Sequence, residues 1–386
     1  CSSAFADPPL MEGCRAAWAG AADGPPPAAA RAPARRGSPL LGIKEGRLRW
    51  AVSATEWSPA GEKSGPEFQF LLSLICEPEE REAVTRFVHF VDQKRALLSR
   101  LLVRRACHAV LGLGSFRDLR IGRTKGKKPF LLRPRPPQDR PDLANFNFNV
   151  SHEGDWVVLA SEPLCIVGVD VSAPHDRRRG SIDIFEVFEE QLTAEEWRVV
   201  RHEAAVAAAE RSSTGPAAED ADGPGIQPPG YQAFQRFWSA KEAFVKARGD
   251  GLGFELNRAE FRFQAIGPVV EPGQSIDAYV ATVAIDGAPA PLWRCFQHRL
   301  GEDHWTAVAR GPTQDVVDAQ GEFLHTLQRP TSSFSAEAWQ QELSADSPPF
   351  QPVTVGFLVP PDDTQAYAAA GGTPWPEHSS NSGLEG

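Results

Sequence analysis

The sequence predicts an α+β fold, and three observations predict it. Apolar residues recur at helical spacing between Pro78 and Leu111, as Val84, Phe87, Val88, Val91, Leu97, Leu98, Leu101 and Leu102. They alternate with period two in Asn145–Ala160, where Phe146, Phe148 and Val150 precede a Glu153-Gly154-Asp155 turn and a Trp156–Leu159 run, a hairpin pattern. Further strands then follow one another as a meander rather than in βαβ alternation.

Taken in order, Arg47–Ser53 alternates as a strand, and the 78–111 pattern holds one or two helices. The 145–160 hairpin leads into a strand at Ile166–Val171, and a short apolar segment, Phe185–Phe188, comes next. Thr193 and Glu196 have capping-box spacing and open an acidic helix. Tyr231–Arg248 reads as a helix ended by Gly249, with the following Gly-Asp-Gly-Leu-Gly as a turn, since no Lys-Ser/Thr completes a phosphate loop. Strands are expected around Glu260–Phe263, Ser275–Ala284, Pro291–His298 and Trp305–Arg310.

With 386 residues, 41% of them hydrophobic, the chain can bury one large or two medium cores, which excludes global disorder. Its 33 Gly and 34 Pro concentrate in three stretches: a leader over 1–39, an insertion over 204–230 and a tail over 331–386, with leader and tail expected to be disordered. The remainder divides into halves at 40–165 and 166–330. A formal charge of −10 argues against a dedicated nucleic-acid binder. Six cysteines lie far apart without metal or disulfide spacing, so a reducing, cytoplasmic setting is expected, and Cys1 in place of Met leaves an organelle signal open. The longest apolar candidate, Val157–Val171, is broken by Glu162 and Pro163 and falls short of the ~18–20 residues a membrane span needs, so no membrane partner is expected.

Four motifs carry chemistry. Arg123-Thr124-Lys125-Gly126-Lys127-Lys128, preceded by Arg117 and Arg120, is the strongest positive run and suits a polyphosphate, or is a solvated loop. Asn149-Val150-Ser151-His152 is not a nucleophilic dyad, because adjacent strand residues point to opposite faces. Asp170 sits in the otherwise apolar Ile166–Val171 strand and needs a metal, a cation or hydrogen bonds, unless it only turns the chain. Glu242 and Lys246 share a helix face at i, i+4, which is also the spacing of an ordinary surface ion pair.

Together, RTKGKKP, FNVSHEGDW, VGVD and FWSAKEAFVKARGDGLGFEL resemble, in that order, the Sfp-type 4′-phosphopantetheinyl transferases, and within them the eukaryotic aminoadipate-semialdehyde dehydrogenase branch. The similarity runs from about Arg47 to Arg310. It implies two similar α+β halves related by a pseudo-twofold, with coenzyme A in the cleft between them. By position, Arg123, Thr124, Lys125, Gly126, Lys127 and Lys128 would hold the 3′-phosphoadenosine end, and Asn149, Val150, Ser151 and His152 would contact the phosphate and pantetheine groups. Asp170 and Glu242 match Mg²⁺ carboxylates and Lys246 a phosphate-contacting lysine. Ser172 stands where some members carry a second acid, so Glu153 is the candidate for the third metal ligand. Ala83 stands where a coenzyme A arginine is expected, so Arg81 or Arg86 would replace it.

The implied activity is Mg²⁺-dependent transfer of 4′-phosphopantetheine from coenzyme A to a serine of an apo acyl, peptidyl or aminoadipate carrier domain by a monomer, releasing adenosine 3′,5′-bisphosphate. Displacing that group from a diphosphate calls for hard oxygen ligands, here Asp170, Glu242 and Glu153, and fixed positive charge, here Lys246. Glu242 is the candidate base for the acceptor serine. Arg100, Arg104 and Arg105 are expected to steer an acidic carrier helix. The competing reading is a non-catalytic coenzyme A binder, or an RNA-binding module stacking bases on Phe130, Phe146 and Phe148.

Overall fold

The structure, a computed structural model, describes residues 38–174, 184–213, 230–266 and 278–376. The expected leader up to residue 37, most of the 204–230 insertion and the start of the Ser275–Ala284 strand lie outside the described residues.

The first half comprises β1 (Arg49–Ser53), α1 (Pro66–Ser73), α2 (Pro78–Thr85), α3 (Phe90–Leu111), β2 (Arg120–Arg123), β3 (Pro129–Arg133), β4 (Asn147–Glu153) and β5 (Trp156–Glu162). The second comprises β6 (Ile166–Ser172), α4 (Ile184–Val187), α5 (Ala194–Ser213), α6 (Tyr231–Arg248), β7 (Ala259–Ala265), β8 (Ala278–Ile285), β9 (Ala288–Pro289), β10 (Arg294–Leu300) and β11 (His304–Gly311). Then follow α7 (Ala336–Ser344), β12 (Gln351–Val353) and α8 (Thr364–Ala369). The strands form one sheet ordered β12-β1-β5-β4, a second ordered β6-β11-β10-β8-β7 with β9 added on β8, and a separate β2–β3 ribbon.

Each half follows one plan, a long helix laid on a mainly antiparallel sheet. Leu97, Leu98, Leu101 and Leu102 of α3 share a core with Trp50, Phe148 and Leu159. Phe234, Phe237 and Phe244 of α6 share the other with Phe261 and Trp293. The predicted caps hold: Thr193 N–H donates to Glu196 Oε2 at 2.8 Å while Glu196 N–H donates to Thr193 Oγ1 at 3.2 Å, and Gly249, at φ 87°, closes α6. Phe130, Phe146 and Phe148 are all buried, so these three rings offer no stacking platform for RNA bases.

Two expectations about the low-complexity stretches are corrected. The insertion was placed at 204–230, yet α5 continues to Ser213, since its run of Ala favours helix over loop. The tail expected to be disordered from 331 folds as far as 376. In it β12 pairs in parallel with β1, with Trp50 opposite Gln351, and Phe357, Leu358 and Val359 complete the first core. Trp50 meets Phe357 edge-on at 4.9 Å. These short apolar clusters have no local period; their partners lie in β1 and α3, far away in sequence.

A single carboxylate ties the tail to both halves. Glu162 on β5 is fully buried and pairs with Arg47 Nε at 2.9 Å, with Arg310 Nε at 2.7 Å and with Arg49. Arg310 also donates to the Ala345 and Asp346 carbonyls. Burial alone would raise the Glu162 carboxyl, but the three guanidiniums outweigh it and hold it down at about 2. Burial draws the Arg49 guanidinium down to about 10, still well above neutral pH, so it remains charged beside the acid.

Candidate active site

The halves meet along β4 and β6, and period-two alternation builds the seam. Phe146, Phe148 and Val150 enter the first core, so Asn145, Asn147, Asn149, Ser151 and Glu153 turn the other way. Asn147 Oδ1 accepts from Val167 N–H and Asn149 Oδ1 from Val169 N–H, each at 3.0 Å. Asn145 Nδ2 donates to the Leu164 carbonyl at 2.9 Å, and Glu153 Oε2 accepts from Ala173 N–H at 2.9 Å. The otherwise bare edge of β6 is satisfied by side chains, which fixes Asp170 against Ser151.

The chemistry is brought together from three elements. Ser151 Oγ donates to Asp170 Oδ1 at 2.9 Å, and Lys246 Nζ donates to both Asp170 Oδ1 at 2.5 Å and Ser151 Oγ at 3.0 Å. On α6, Trp238, Glu242 and Lys246 are half-buried among buried neighbours, so their stripe is the open face of the helix beside the seam. The helix approaches closely because residue 168 is Gly: a Cβ there would lie 2.0 Å from the Ala243 carbonyl oxygen and 2.3 Å from Ala247 N. Gly168→Ala is therefore expected to cost about 1–3 kcal/mol through overpacking. As the helix retreats from Asp170, kcat falls more than KM changes; thermal unfolding and steady-state rates check both.

Glu153 completes the acid group. Its carboxyl is pushed up to about 8, first by burial and then by the charge of Asp170, with Glu242 adding to it and the Ala173 N–H and Lys246 opposing. Among the described residues no three acid, imidazole or thiol groups stand close enough to enclose a metal ion as they are, and Lys246 takes up one Asp170 oxygen. The donor set itself fits a hard cation: three carboxylates, with the charges of Asp170 and Glu242 both acting on Glu153, and no nitrogen or sulfur among them. Ser172, where a further acid could have stood, is buried and its carbonyl accepts from Gln235 Nε2 at 3.3 Å.

The basic run forms the turn of the β2–β3 ribbon, and only part of it faces outward. Arg123, Lys125, Gly126 and Lys127 are exposed, whereas Thr124 and Lys128 are buried. Thr124 Oγ1 accepts from Lys128 N–H at 3.2 Å, and the Lys128 ammonium is held by main-chain carbonyls, so neither side chain faces a ligand. The side chains of Asn149 and Val150 are likewise spent on the seam and the core, so neither is available for the ligand contact expected of it; side-chain alternation dictates this. His152 is exposed and Ser151 buried, on opposite faces of β4 as expected.

Of the two arginines proposed to replace a residue at 83, Arg81 donates to the Ile75 carbonyl at 2.8 Å and is committed to the fold. Arg86 is exposed and its charge acts on Arg100, which places it near the basic turn. A feature the sequence reading missed lies there: Glu80 faces Arg104 at 3.1 Å, Arg123 at 3.4 Å and Arg100 at 3.7 Å, and Glu77 faces Arg104 at 2.6 Å and Arg120 at 3.8 Å. The two acids, one turn apart on and before α2, orient the cations; their i, i+3 spacing was the available signal. The steering role given to Arg104 and Arg105 does not stand, because they are only 2% and 5% exposed, and Arg105 Nε donates to the Phe357 carbonyl.

Comparison with known proteins identifies the family. Residues 55–164 match the family model for the 4′-phosphopantetheinyl transferase N-terminal region, and residues 166–283 match the 4′-phosphopantetheinyl transferase superfamily. The boundary between the two matches falls between β5 and β6, at the turn that joins the halves. Among similar proteins are the mouse and human L-aminoadipate-semialdehyde dehydrogenase-phosphopantetheinyl transferases. The mouse protein is 33% identical over 269 residues, and the human protein 32% over 265, each alignment covering 68% of this chain and 74% of the relative. The Bacillus subtilis 4′-phosphopantetheinyl transferase Sfp is 28% identical over 232 residues, covering 59% of this chain and 84% of Sfp. With two matched halves, a shared fold plan and the Ser151, Asp170 and Lys246 junction between them, the chain belongs to the 4′-phosphopantetheinyl transferase superfamily, and its enzymatic class is 4′-phosphopantetheinyl transferase.

Proposed function

We propose that the chain transfers 4′-phosphopantetheine from coenzyme A to a serine hydroxyl of an apo carrier domain, with Mg²⁺ required and adenosine 3′,5′-bisphosphate released. The observation that carries this reading is the convergence of Asp170, Ser151 and Lys246 from three elements at the junction of the halves, with Glu242 one turn before Lys246. Asp170 and Glu242, with Glu153, would hold the Mg²⁺. When bound, the ion supplies positive charge to the diphosphate oxygens of the substrate.

The remaining chemistry falls to this chain's own residues. Exposed Arg123, Lys125 and Lys127, with Arg86 nearby, hold the 3′-phosphoadenosine end by charge. The acceptor serine oxygen bonds to the phosphorus of the pantetheine phosphate as the bond from that phosphorus to the bridging oxygen breaks. Glu242 takes the serine proton, directly or through water, and Lys246 offsets the charge that develops on the leaving phosphate. No nucleophile of the enzyme is needed, because the substrate protein brings its own.

The names of the mammalian relatives point to an aminoadipate-type carrier domain as the first acceptor to try. The full chain is incubated with coenzyme A, MgCl₂ and a panel of apo carriers, and the intact mass of each carrier is read. A gain of one phosphopantetheine, lost with chelator and restored by added Mg²⁺, is expected. No mass gain on any carrier would overturn the reading.

A further inference from the structure

Lys128 is the one cation of the basic run that is buried on the protein side, at 4% exposure. Its Nζ donates to the Val167 carbonyl at 2.5 Å and to the Lys246 carbonyl at 3.1 Å, and lies 5.6 Å from the centre of the Phe323 ring. Among the described residues no carboxylate pairs with it. Both carbonyls belong to elements that carry the site: Val167 is three residues before Asp170 on β6, and Lys246 is in the last turn of α6.

The carbonyls of a final helical turn have no partner within the helix, and positive charge there is favourable. In α6 the Val245 carbonyl accepts from Gly249 N–H and the Arg248 carbonyl from Val317 N–H, and Lys128 from the other half of the protein supplies the donor for Lys246. The contact is close and specific. The turn is tied internally, with Thr124 N–H donating to the Lys128 carbonyl at 3.0 Å and Lys127 N–H to the Thr124 carbonyl at 2.8 Å. It rests directly on the end of α6, since a Cβ on Gly126 would lie 2.4 Å from the Gly249 carbonyl oxygen. Burial pulls the Lys128 ammonium down to about 7, but the neutral amine still carries two N–H bonds for its two carbonyls, so the clamp holds in either form.

We propose that Lys128 is a positioning residue: by clasping the Lys246 and Val167 carbonyls it sets the distance from the exposed cations of the turn to Asp170, Glu242 and Lys246, and it touches no part of coenzyme A. This rests on the transferase reading above. The turn grips one end of the substrate and α6 the other, so the rate depends on their spacing, while affinity depends on Arg123, Lys125 and Lys127, which Lys128 does not replace.

The test is Lys128→Met in the full chain, with three readouts. Amide exchange at residues 245–249 becomes about tenfold faster or more as the helix end loses its donor. Coenzyme A binding by calorimetry stays within about threefold, while kcat for carrier loading falls about tenfold or more from misplacement. Gly126→Ala, which keeps Lys128 but lifts the turn from Gly249, gives the same fall in kcat and keeps the test open should the Met variant fold poorly. Coenzyme A affinity weakened tenfold with kcat intact would make Lys128 a substrate ligand and overturn the proposal, as would unchanged exchange and unchanged kcat in both variants. Wild-type protein that binds coenzyme A but loads no carrier would instead sink the transferase reading, with the clamp still decided by the exchange and binding arms.

Discussion

Asp170→Asn is expected to lower carrier loading by about 10²–10³-fold, the scale on which removal of one preorganised charge acts in a catalytic site. Asp170 stands at the centre of the junction: it accepts from Ser151 Oγ, pairs with Lys246 and raises the proton affinity of Glu153. The amide keeps the volume and the acceptor for Ser151 but loses the charge that holds Lys246 and that a divalent ion would need. Because the volume is kept and the Lys246 ammonium left behind is partly exposed, the unfolding midpoint should move by only a few degrees. The measurements are intact mass of the carrier over time and a thermal melt of each protein. Loading within a few-fold of wild type at an unchanged melting point would remove Asp170 from the mechanism.

Glu162→Gln carries the largest expected cost in stability. Removing one partner of a buried ion pair costs about 3–5 kcal/mol, because the charge left behind stays out of water. Here two of the guanidiniums left behind, Arg49 and Arg310, are fully buried. Denaturant unfolding at neutral pH reads this directly. The acid limb gives an independent check. The Glu162 carboxyl lies at about 2 in the folded chain against its ordinary 4.5, so its stabilisation is fully present above about 4.5 and is lost as pH falls towards 2. In the Gln variant that portion of the acid dependence disappears. Stability within about 1 kcal/mol of wild type would show that the three arginines find other partners.

Legibility in the sequence tracked the range of the interactions involved. Elements whose period is local were readable: Tyr231–Arg248 has the bounds its spacing and Gly249 predict, and the hairpin falls where Phe146, Phe148 and Val150 alternate. Asp170 and Lys246 were found by chemical type and resemblance and do meet. What could not be read were choices between a ligand and the protein's own backbone. Lys128 and Asn149 belong to motifs with the right charge and polarity, but Gly126 resting on Gly249 and β4 running beside β6 turn these side chains to carbonyls and amides. The same alternation that was used to reject a Ser151–His152 dyad, extended to Asn145, Asn147 and Asn149, was the signal for the seam. The segment from 331 to 376 was missed because Trp339, Phe350 and Phe357 are spaced for distant partners rather than for each other.

That distance has a consequence for how the molecule is made. The carbonyl that Arg105 holds belongs to Phe357, 252 positions later, and the edge of β1 is covered by Gln351–Val353. On the ribosome, β1 therefore waits with that edge open until Gln351–Val353 has left the tunnel, long after its other neighbour β5. Until then the strand carries unpaired backbone groups able to recruit the wrong neighbour.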